Sequence, residues 1–126
     1  MCGNMQQIKL RRRKMTNSRD ELKQQYPEIA KAYERIQLEQ YELFASKMMD
    51  YGKGNISVGS NLDTEEEIHI AMTGLWFRIN DKIQRLKQLV LLNKDPKVKT
   101  ESVIDTFQDL SIYGIIAQIV KNGHWK

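Results

Sequence analysis

Apolar residues recur along most of this chain in steps of three and four, and nowhere alternate long enough to suggest a strand. Beyond Pro27, Ile29, Tyr33, Ile36, Leu43, Phe44 and Met48 share a broad face, which predicts a first long helix to about Asp50. A second is the clearest: Ile68, Met72, Leu75, Ile79, Ile83, Leu86 and Val90 keep helical spacing behind the capping box Thr64 and Glu67. Asn93-Lys94-Asp95-Pro96 breaks it, and Thr100 serves as N-cap for a third helix from about Glu101 to Lys121, stopped before Gly123. Ser18 and Glu21 have capping-box spacing for a short turn of helix to Gln25. Between the first two long helices, a loop from Tyr51 to about Asp63 holds Gly52 and Gly54, both able to take positive φ.

The expected fold is therefore all-α, three long helices plus a short N-terminal one. Two prolines and seven glycines in 126 residues agree with it. The apolar faces are too wide for three helices to cover. In the third, Val103, Phe107, Leu110, Gly114 and Ala117 line one side while Ile112, Ile116 and Ile119 line nearly the opposite one. A helix apolar on both sides is buried on both, so homo-oligomerisation is expected to complete the bundle.

Charge divides the chain further. Lys9, Arg11, Arg12, Arg13 and Lys14 place five of the 20 basic residues in a tail without acids, leaving 15 basic against 16 acidic residues beyond it. Residues 1–16 read as a flexible basic tail and 17–126 as one helical domain; Met15 heads a second plausible start. Cys2 is the single cysteine and has no intrachain partner, which suggests a reducing, cytoplasmic setting. No apolar run approaches the roughly 20 residues that span a bilayer, so no membrane partner is expected.

The candidate chemistry lies on the third helix. Glu101, Asp105 and Asp109 fall on one line that continues into Ile112 and Ile116, leading a row of acids toward a buried face. Like charges at i,i+4 repel unless a cation compensates. Mg2+ held by one or two carboxylates and phosphate oxygens would serve. So would Arg78, Lys82 and Arg85, which share one flank of the second helix and would otherwise grip phosphates themselves. Asp81 points away from that helix's core and has Arg85 at i,i+4. His69 and His124 are isolated, and no glycine-rich phosphate loop, zinc signature or nucleophile elbow is present.

Read in order, Lys47-Met48-Met49-Asp50-Tyr51-Gly52, Arg78-Ile79-Asn80-Asp81-Lys82-Ile83-Gln84-Arg85-Leu86, and Glu101 with Asp105, Asp109 and Tyr113 resemble the nucleotide modification associated domain. That family, mostly phage and bacterial, is related to the all-α nucleoside triphosphate pyrophosphohydrolases, the MazG-like and dimeric dUTPase-like proteins. The resemblance covers roughly residues 30 to 122. It implies a helical protein acting on nucleotides, whose hydrolytic relatives use Mg2+ and a metal-activated water to release a monophosphate and pyrophosphate. Carried over by position, Glu101 and Asp105 match the acidic pair of the last catalytic helix. Asp81 is the sole acid where MazG-like enzymes have a glutamate cluster, so this chain departs from the pattern by placing Asn80, Lys82 and Arg85 there.

The functional expectation is a nucleotide-binding homo-oligomer with Glu101 and Asp105 as catalytic Mg2+ ligands, joined by Asp81. Lys82, Arg85 and Arg78 would contact phosphates, with Asp109 and Tyr113 beside them and Asp50, Tyr51 and Lys53 at the mouth. The alternative is a catalytically silent binder that sequesters a nucleotide, including a cyclic or signalling one, between subunits. A third reading, nucleic-acid binding, draws on the basic tail alone.

Overall fold

The computed structural model describes residues 18–98 and 101–126; the basic tail and the Thr100 cap lie outside them. All regular structure among the described residues is helical. Residues 18–25 form α1, with Ser18 already inside the helix. Then come α2 (Pro27–Tyr51), α3 (Gly54–Ser57) and α4 (Glu65–Leu86), a π-helical turn (Lys87–Leu91), and α5 (Val103–Lys121). The three long helices fall where the periodicity puts them. The short α3 and the π turn are additions.

Contacts gather the described residues into two compact units, one up to Tyr41 and one over Glu42–Lys126, and α2 contributes to both. In the first, Ala30 is buried and Lys23 pairs with Glu34 at 3.3 Å. Ile29, Tyr33 and Ile36 remain exposed there.

The second unit holds the core cluster. Ile56, Leu62, Ala71, Leu75, Ile112, Ile116, Val120 and Trp125 are buried together, with Leu43, Phe44 and Met48 of α2 packed against them. Thr64 caps α4 with the expected box, its hydroxyl accepting from the Glu67 N–H while the Glu67 carboxylate accepts from the Thr64 N–H. The cap of α5 is Ser102, not a residue before Glu101, so Glu101 stands outside the helix. Gly52 takes φ 70°, whereas Gly54 opens α3 without a positive φ. The left-handed position that ends α3 falls instead to Val58, at φ 55°.

Burial corrects one expectation, on α4. The stripe of α4 is covered at Leu75, but Ile83 and Val90 are exposed and Leu89, within the π turn, is buried instead. On α5, Ile112, Ile116 and Val120 enter the core while Ile104, Phe107 and Ile115 stay exposed, so one side is covered within the chain and the other is not. Among the described residues, α5 alone is long and apolar enough to cross a membrane by length and composition, with a mean hydropathy of 1.2 over 18 residues. Ile112, Ile116 and Val120 of that stretch belong to the core cluster.

Candidate functional site

The second unit encloses a hollow of about 280 Å³ between residues of α2, the α2–α3 turn, α4 and α5. Four of its lining residues, Phe44, Lys47, Met48 and Tyr51, come from α2 at i, i+3, i+4 and i+7, one face of a helix. Asp109, Ile112, Tyr113 and Ile116 repeat that spacing on α5. Arg78 enters from α4 and Asn55 from α3. Trp125 closes the wall: its ring meets Phe44 edge to face with centroids 6.2 Å apart, and its indole N–H donates to the Lys53 carbonyl at 3.1 Å.

The acidic ladder does not converge. Asp109 receives the Lys82 ammonium at 2.9 Å and, more loosely, that of Lys47 at 3.9 Å. One turn earlier, Asp105 accepts from the Ser102 N–H at 3.0 Å and from its hydroxyl at 2.8 Å. These bonds hold the Asp105 carboxyl below the usual carboxylate range. Glu101 is exposed and pairs with Arg85 at 3.5 Å, while its carbonyl accepts a hydrogen bond from the same guanidinium. Three acids in sequence thus have three separate engagements.

The cations of α4 are divided in the same way. Lys82 and Arg85 are taken up by Asp109 and Glu101. The hydrogen bond to Asp109 raises the Lys82 pKa above the ordinary lysine value, against the opposing effect of partial burial. Arg78 instead donates to the Asn55 carbonyl at 3.0 Å, which fixes its guanidinium at the wall with further N–H groups to spare.

Of the residues expected at the site, Tyr51, Arg78, Asp109 and Tyr113 line the hollow. Lys82 touches it through Asp109, and Lys53 contributes through its carbonyl to Trp125. Asp50 and Asp81 are exposed and outside the lining, and Arg85 and Glu101 form a pair apart from it. Lys47, Asn55 and Trp125 were not foreseen as site residues. The i,i+4 spacing of Lys47 and Tyr51 is the signal that would have found the first.

The donor set expected for Mg2+ does not fit one ion. Glu101, Asp105 and Asp81 have different surroundings, and among the described residues no three His, Cys, Asp or Glu side chains come together as ligands. What the hollow offers is aromatic surface, two cations and one carboxylate already answered by a lysine. Compared with protein-family models, with curated proteins and with solved structures, the chain matches none.

Proposed function

We propose that this chain is a nucleotide-binding protein of modified-nucleotide metabolism that acts as a homo-oligomer and holds its ligand in the hollow beside Asp109. The observation that carries the reading is the presence, in one cavity, of the cations Lys47 and Arg78 with the aromatic side chains of Tyr51, Tyr113 and Trp125. A phosphorylated nucleoside presents the complementary pair, anionic oxygens for the cations and a flat base for the rings. The resemblance of the segments around Asp50, Asp81 and Asp105 points to the same ligand class. Exposed Trp76, Phe77 and Ile83 on α4 and Phe107 and Ile115 on α5 support self-association.

Binding is preferred to hydrolysis because the carboxylates that a Mg2+-dependent pyrophosphohydrolase requires are spent on Ser102, Arg85 and Lys82. Thermal-shift measurements against a nucleotide panel, with and without Mg2+, test this directly. A ligand bound by the folded chain alone raises the apparent Tm. The expected result is a rise without metal, diminished in Arg78→Ala and Lys47→Ala, with intact nucleotide recovered after denaturation. Release of a monophosphate and pyrophosphate with Mg2+, lost in Glu101→Gln or Asp105→Asn, would replace binding by hydrolysis. A panel without any shift would remove the nucleotide reading altogether.

A further inference from the structure

We infer that the hollow is matched to a nucleoside carrying one phosphate group, not a triphosphate, and that Asp109 sets this limit; the inference rests on the nucleotide reading above. Three observations bear on it: the charge left over in the lining, the placement of Asp109, and the size of the space.

The Asp109 carboxylate is neutralised at short range by Lys82, at 2.9 Å, while Lys47 reaches it only at 3.9 Å and has an exposed side chain. Lys47 is therefore free to turn to a ligand without leaving Asp109 unpaired. Arg78 spends one N–H on the Asn55 carbonyl and keeps the rest of its fork. Two cations are thus available to one ligand. A phosphate monoester carries about −1.5 to −2 charges near neutral pH, which two cations balance.

Each further phosphate adds negative charge that the lining does not answer. Among the described residues, the remaining charged side chain in the wall is Asp109, whose carboxylate holds Lys82 at 2.9 Å and so withholds that cation from a second phosphate. Arg85 gives no relief, being held by Glu101 through both its side chain and its carbonyl. The space agrees: about 280 Å³ lies just below the roughly 300–1,000 Å³ usual for small-molecule sites, which favours a compact ligand.

The test is calorimetric titration of the full chain, in EDTA, with nucleosides, their 5′-monophosphates and their 5′-triphosphates. The monophosphate should bind at least about tenfold tighter than both the nucleoside and the triphosphate of the same base. Asp109→Asn keeps the side-chain shape, removes the charge and frees both lysines, so the preference over triphosphate should shrink by about tenfold. Lys47→Gln, at an exposed side chain, should weaken the monophosphate by about tenfold and the nucleoside by much less.

Triphosphate binding as tight as monophosphate in the wild type overturns the single-phosphate limit while leaving nucleotide binding intact. Equal affinity for nucleoside and monophosphate overturns the role of the two cations. A folded Asp109→Asn with an unchanged ratio overturns Asp109 as the cause. No binding of any of the three overturns both this inference and the reading beneath it.

Discussion

Asp105 and Asp109 stand one turn apart on α5, yet their carboxylates do unlike work. Asp105 closes the capping box with Ser102 and so fixes where the helix begins. Because its pKa is depressed in the folded chain, its contribution to stability is present above the ordinary carboxylate range and is lost as pH falls through the lowered value. Replacing Ser102 by Ala removes the hydroxyl partner and the cap; urea denaturation at neutral pH should show a loss of about 1 kcal/mol. In the same variant, the fall in stability below about pH 4 should flatten, which repeating the denaturation in acid would detect. Lys82 has the opposite sign. Its pKa is raised by Asp109, so its share of stability is present below the ordinary lysine range and is lost as pH rises through the raised value.

At the scale of elements, periodicity revealed the long helices because their apolar faces are what they bury. Leu75 on α4 and Ile112 and Ile116 on α5 are core residues that spacing alone identifies, whereas the buried place beyond them belongs to Val120 and not to Ile119. Where the helix changes pitch, the pattern misleads. The π turn over Lys87–Leu91 rotates the chain out of register, so Leu89 is buried where continued α-helical spacing selects Val90. Ser102 and Asp105 have the same spacing as Thr64 and Glu67, but an Asp in the third place is a weaker signature than Glu, and Thr100 competes with it. Helix α3 was illegible for another reason: it spans four residues and ends on a left-handed valine. A β-branched side chain in that region is strained by roughly 1–2 kcal/mol. Val58 is exposed, with its N–H bonded to the Gly54 carbonyl, so Val58→Gly keeps the turn and relieves the strain. The variant should be more stable by about 1 kcal/mol in chemical denaturation.

At the scale of the whole molecule, α4 and α5 leave apolar surface that the described residues do not cover. Trp76 and Phe77 are 56% and 62% exposed on adjacent positions of α4, and Phe107 is 49% exposed on α5. If self-association covers them, light scattering coupled to size-exclusion chromatography should give a mass above the 14.8 kDa of one chain, and Phe77→Glu should return it to a monomer. A monomeric wild type across micromolar concentrations would remove the oligomer. The site was legible only where it coincides with a helix face. Arg78 and Asp109 are legible from their stripes and Tyr113 from the family resemblance, but the choice of Asp109 for Lys82 and of Glu101 for Arg85 depends on how two helices pack.

Trp125 could not have been assigned to the site from spacing, because its hydrogen bond to the Lys53 carbonyl joins positions 72 residues apart. That distance along the chain bears on the order of assembly. Helices and the α4–α5 pairing rest on neighbours closer in sequence, whereas a contact across 72 residues must first meet the entropy of closing the loop between them. The wall that Trp125 supplies therefore carries a larger loop-closure cost than the helices do, and its formation is expected to follow theirs.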